Sequence, residues 1–75
     1  MRETIEINTP FIRLDDALKF VGAVMTGGQA KWVIQNGGVS VNGEVCTMRG
    51  KKLYGGELIL VHDSKREIVI CKSTN

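Results

Sequence analysis

The chain is poor in the residues that small proteins most often use for metal binding or catalysis. Its 75 residues include one histidine, His62, and two cysteines, Cys46 and Cys71. A structural zinc site takes about four ligands, with Cys or His in closely spaced pairs. These three residues are widely spaced, so neither a metal site nor a cofactor is expected, and the thiols read as small apolar side chains. His62 sits in an apparent strand with no Ser or Cys at nucleophile-motif spacing, and it reads as a strand residue of no special role. Aromatic residues make up only 5% of the chain, so the core must be aliphatic. No apolar run approaches the roughly 18 residues of a membrane span. Residues 1–8 are polar and mixed in charge, without the apolar stretch of a secretory leader. A cytoplasmic protein with reduced thiols and no membrane partner is therefore expected.

What the chain does have is a globular composition, 43% hydrophobic, which argues against disorder. Its length corresponds to one domain over residues 1–75. A domain of this size buries only about 60% of the surface its unfolded chain exposes. Little room remains for a cleft and a lid beside a core, which lowers the prospect of an enzyme. The net charge of +2 says little by itself, but its distribution is uneven. Between residues 13 and 52, Arg13, Lys19, Lys31, Arg49, Lys51 and Lys52 stand against Asp15, Asp16 and Glu44. The flanks hold four basic residues against five acidic ones. A basic middle of this kind attracts polyanions, although it also fits an ordinary solvated surface.

Residues 4–7 alternate polar and apolar and predict a short strand ahead of Pro10, the only proline. Leu14, Ala17, Leu18 and Val21 fall at i, i+3, i+4 and i+7 and predict a helix from Leu14, ended or loosened at Gly22. Asp15 and Asp16 in its first turn suit capping and the helix dipole. Adjacent helical residues point about 100° apart, which makes this pair a poor acid–base couple. Thr26-Gly27-Gly28-Gln29 has the form of a capping box and predicts a second helix, with the Gln29 side chain reaching back to Thr26. Ala30, Val33 and Ile34 form its apolar stripe, and Asn36-Gly37-Gly38 supplies the stop. From there the period switches to two. Val39, Val41 and Val45 alternate around Asn42-Gly43, a strong hairpin signal. Strands are then expected over residues 57–62 and 67–71, joined at Asp63-Ser64-Lys65. The sum is an α+β domain, two short packed helices followed by a small antiparallel sheet with an N-terminal strand added.

Three groups of residues could contact a polyanion. The Gly27-Gly28 helix start offers free N–H groups to a phosphate, although no P-loop or dinucleotide fingerprint is present. The polar face of the second helix carries Gln29, Lys31, Trp32, Gln35 and Asn36, with Lys31 and Gln35 together at i, i+4. An exposed Trp32 could stack on a base. With so few aromatics available, packing of Trp32 beneath the 49–52 loop or the N-terminal segment is favoured over that. The loop Arg49-Gly50-Lys51-Lys52 is the densest basic cluster, compatible with phosphate contacts but not specific to them.

Arg13-Leu14-Asp15, Leu18, Thr26-Gly27-Gly28-Gln29-Ala30-Lys31, Ile34, Gly37 or Gly38, Val39, Val41-Asn42-Gly43 and Gly56-Glu57 occur in an order and spacing that resemble the S-four RNA-binding domain, also called the alpha-L motif. The resemblance spans about residues 13–61. The 26–31 segment and Arg49-Gly50-Lys51-Lys52-Leu53 look like the small stand-alone bacterial members, the YbcJ/YaaA-like proteins. The resemblance implies a helix–loop–helix followed by a hairpin, binding ribosomal or transfer RNA through its backbone and shape and without catalysis. Carried over by position, the implied contacts are Arg13, Thr26, Gly28, Gln29, Lys31, Gln35, Arg49, Lys51 and Lys52, with Lys19 and Trp32 as further candidates. Family members commonly place an Arg where this chain has Gly27, so one phosphate contact is lost here. The expected partners are structured RNA and ribosomal particles, met by a monomer. The competing expectation is a protein-interaction adaptor that uses the helix face around Trp32 and Phe20.

Overall fold

The computed structural model describes residues 2–73. Strand β1 (Arg2–Ile7) is followed by the short strand β2 (Ile12–Arg13), which runs directly into helix α1 (Leu14–Phe20). Helix α2 (Gly27–Gln35) comes next, then β3 (Val39–Val41), β4 (Glu44–Val45), β5 (Lys52–Leu53), β6 (Leu58–Val61) and β7 (Arg66–Lys72). A five-stranded sheet has the order β1-β7-β6-β3-β4, and β2 and β5 form a separate two-stranded ribbon. The α+β arrangement is the one expected. The sheet is mixed, because β1 pairs parallel to β7 at one edge while the other pairs are antiparallel. An alternating apolar pattern marks a strand but carries no sign of its direction.

The core is aliphatic. Leu14, Ala17 and Leu18 of α1 and Ala30 and Ile34 of α2 are fully buried, while Val21 and Val33 complete the two stripes from its margin. They pack on one face of the sheet, built from Ile5, Ile7, Val39, Val41, Ile59, Val61, Ile68 and Ile70. Arg66 lies at the edge of this layer and ties three elements together. Its guanidinium donates to both Glu3 carboxylate oxygens, at 2.8 and 2.6 Å, and to the Val21 carbonyl at 2.6 Å. This hydrogen-bonded ion pair lowers the Glu3 pKa from its ordinary value and raises that of Arg66.

The chain reverses where the sequence indicated. Gly22 and Gly37 take the left-handed conformation after α1 and α2, with φ of 73° and 77°. Asn42 and Gly43, at φ 52° and 85°, make the tight β3–β4 hairpin turn, as a two-residue turn matched to strand twist requires. The Asn42 side chain also accepts from the Leu58 N–H at 3.0 Å, pinning the turn to β6.

Candidate nucleic-acid interface

The first N–H groups of a helix have no acceptor within the helix. In α1 they are taken by the basic loop. The Leu14 N–H donates to the Lys51 carbonyl at 2.9 Å, and the Asp15 N–H to that of Arg49 at 3.0 Å. The Asp16 N–H donates to the Asp15 carboxylate at 2.9 Å. The start of α1 is therefore closed by protein, and its role is to hold residues 49–51 in place. Asp15 is nearly buried and also pairs with Arg13 at 3.3 Å. Arg13 in turn lies across Gly50, where an added Cβ would come within 3.3 Å of its Nη2. The glycine lets the arginine and the loop meet at close range.

Arg13 and Lys52 are directly opposite each other in the β2–β5 ribbon, and Ile12 faces Leu53. Leu53 is fully buried and Ile12 is packed on the core, so Arg13 and Lys52 share the outward face. The ribbon thus sets Arg13 opposite Lys52, with the backbone of Arg49 and Lys51 held beside them by the start of α1, and all four side chains are exposed. Lys52 is in a strand here, whereas the sequence suggested a loop. Its Nζ lies 4.8 Å from the centre of the Phe11 ring. Phe11 in turn meets the Tyr54 ring at 6.2 Å, tilted by 60°. Sequence reasoning passed over both aromatics. The signal for them was the alternation Phe11-x-Arg13 and Lys52-x-Tyr54, each too short to read as a strand by itself.

Lys51 lines a shallow cleft with Val41, Glu44, Val45, Cys46, Thr47 and Met48. Beyond Tyr54, the Glu57 carboxylate accepts the N–H groups of Tyr54 and Gly55, both at 2.7 Å. Burial pushes the Glu57 pKa up, but the N–H donors and the nearby Lys51 charge outweigh it and leave the pKa below its ordinary value.

The remaining candidates lie elsewhere. Lys19 is exposed and paired with Asp16 at 3.3 Å. Thr26 caps α2, its hydroxyl accepting the Gln29 N–H at 3.1 Å. The Gln29 side chain reaches back to the Met25 N–H at 2.7 Å, one residue earlier than the capping box predicted. Gly27 and Gly28 open the helix, and their N–H groups have no intrahelical acceptor. Lys31, Trp32 and Gln35 are exposed on α2. Trp32 is 68% exposed, so the expectation that it packs beneath the basic loop or the N-terminal segment is wrong. The core closes with aliphatic residues alone, and Trp32 instead borders a shallow cleft with Val33, Asn36, Gly38 and Asp63. Among the described residues, the hydrogen bonds and ion pairs that organise the ribbon involve none of Gln29, Lys31, Trp32 and Gln35.

His62 is in a turn after β6 rather than in a strand, and its Nε2 lies 2.6 Å from the Ser40 hydroxyl. Sequence spacing could not reveal this contact, which the β3–β6 pairing creates across 22 residues. Among the described residues no third side chain hydrogen-bonds the imidazole to orient it as a base. No group of three His, Cys, Asp or Glu side chains is placed to hold a metal ion among the described residues. No helix among them is long and apolar enough to cross a membrane.

The model of the S4 domain family matches residues 5–69, from β1 to β7. The chain belongs to the S4 domain family. A relative in Bacillus subtilis (strain 168), a probable ribosome maturation protein RlbA, is 39% identical over 59 residues, covering 79% of this chain and 83% of that protein. The resemblance read from the ordered motifs therefore stands, and with it an RNA-related character for this S4 domain. The match extends past residues 13–61 into β1 and β7, the parallel pair at one side of the sheet.

Proposed function

We propose that this S4 domain is a single-domain, non-catalytic module of the cytoplasm that binds structured RNA as a monomer through its backbone and shape. The observation that carries this reading is the pairing of Arg13 with Lys52 in the ribbon, beside the Arg49–Lys51 backbone that the start of α1 holds. Four cations on a rigid support suit a polyphosphate backbone, whose contacts fix position without reading sequence. The Gly27–Gly28 helix start and Lys31 are a second contact region. The name of the Bacillus relative favours ribosomal RNA or ribosomal particles over transfer RNA as the target.

A second reading has its own support. Phe20, Met25 and Trp32 are exposed, at 71%, 82% and 68%, and could dock a protein partner. A pull-down from cell extract, run with and without nuclease, separates the two readings. The RNA reading expects ribosomal RNA in the untreated eluate and loss of associated proteins after nuclease. Partners that survive nuclease, with no RNA recovered, would favour the adaptor.

A further inference from the structure

We infer that the outward face of the β2–β5 ribbon carries a stacking site for an unpaired nucleobase, centred on Tyr54 and adjoining the cationic pair Arg13 and Lys52. This rests on the RNA-binding reading and specifies what kind of RNA feature the ribbon meets.

The ribbon places side chains alternately in and out. With Ile12 opposite Leu53 on the inner face, Arg13 opposes Lys52 on the outer one. The next outward pair, Phe11 and Tyr54, brings its rings to 6.2 Å. The outer face therefore has one cationic row and one aromatic row, two residues or about 7 Å apart. A phosphate on the cationic row leaves a neighbouring base within reach of the aromatic row.

An exposed tyrosine is ordinary on a protein surface. What distinguishes Tyr54 is how firmly it is held. Its N–H and that of Gly55 are fixed by the Glu57 carboxylate. The Gly56 N–H donates to the Ile70 carbonyl at 2.6 Å, anchoring the turn to β7. Gly55 has φ 134° and lies so close to Lys72 that a Cβ would come within 3.2 Å of that residue's Cβ. Phe11 supports the Tyr54 ring in a tilted contact, while Lys52 sits over Phe11. Tyr54 remains 56% exposed. A ring positioned before binding loses little freedom when a base stacks on it. Stacking uses the π-face that every base has, so it selects unpaired bases over paired ones and is tolerant of sequence.

The test uses the full chain and two RNA hairpins with the same stem. One stem is fully paired, and the other carries a single bulged 2-aminopurine. The site predicts tighter binding of the bulged hairpin and quenching of its fluorescence. Tyr54→Ala is expected to weaken binding of the bulged hairpin by about 5- to 150-fold, abolish the quenching and leave the paired hairpin unaffected. Tyr54→Phe keeps both effects. Equal binding of the two hairpins by the native chain, or quenching that survives Tyr54→Ala, would overturn the stacking site. If both hairpins bind equally and Arg49→Gln weakens both, only the stacking site fails. If neither hairpin binds at low salt, the RNA-binding reading fails with it.

Discussion

Replacing Lys51 and Lys52 together by Gln removes two of the four cations in and beside the ribbon. Both side chains are exposed, so the fold should survive, and an unchanged melting temperature would verify it. If each cation neutralises one phosphate, the logarithm of the binding constant falls with the logarithm of salt at a slope of about −3.6. The pairing of Arg13 with Asp15 weakens one of the four, giving a range of about −2.7 to −3.6. Raising salt from 50 to 200 mM should then weaken binding about 40- to 150-fold in the native chain. In the double variant the slope should fall by about 1.8, and the loss over the same interval should shrink to roughly 3- to 12-fold. Fluorescence anisotropy with a labelled ribosomal RNA fragment at several salt concentrations measures both slopes. A native slope shallower than about −1, or the same slope in both proteins, would refute the assignment of these lysines to phosphate contacts.

Gly27→Arg meets nothing within 4 Å of its Cβ and falls in helical backbone; it should leave stability unchanged within about 0.5 kcal/mol and steepen the salt slope by about 1. Leu53→Ala empties a fully buried position beneath the ribbon and should cost about 2–5 kcal/mol, read by urea unfolding. That is a large share of the roughly 4–11 kcal/mol expected for a chain of this length. Glu57 has a folded pKa below its unfolded one, so its stabilisation is complete above the unfolded value near 4.3 and is lost as pH falls through the folded value. Protection of the Tyr54 and Gly55 amides against exchange, relative to their intrinsic rates, should fall across that acidic window, and protection that ignores it would detach Glu57 from the turn. Trp32→Ala, at an exposed site, should change stability by less than about 0.5 kcal/mol and leave RNA affinity intact. A marked loss of RNA affinity would shift the interface onto α2.

Most of the fold was legible because local signals and core packing agree. The stripes of α1 and α2, the Thr26 cap, the left-handed Gly37 and the Asn42-Gly43 turn each follow from side chains a few residues apart. What escaped were the features made by distant pairing. The β2–β5 ribbon joins residues 39 and 41 positions apart with only two residues on each strand, too few for a period to show. The parallel entry of β1 and the Ser40–His62 contact are likewise tertiary products. At the candidate site the basic residues were legible by type and by resemblance. Their support was not, since it depends on Leu14 and Asp15 donating to the carbonyls of Lys51 and Arg49. The misplacement of Trp32 had a physical cause too. Scarcity of aromatics argued for burying it, but isoleucine, leucine and valine fill the core without it.

In the proposed binding mode, RNA is met on the ribbon rather than on the apolar face of the helix pair. Titration of the isotopically labelled chain with a ribosomal RNA fragment, followed by amide chemical shifts, tests it most directly. The largest changes are expected at Arg13 and across residues 49–54, with smaller ones at Gly27, Gly28 and Lys31. Changes concentrated on Phe20, Met25 and Trp32, with residues 49–54 silent, would contradict it.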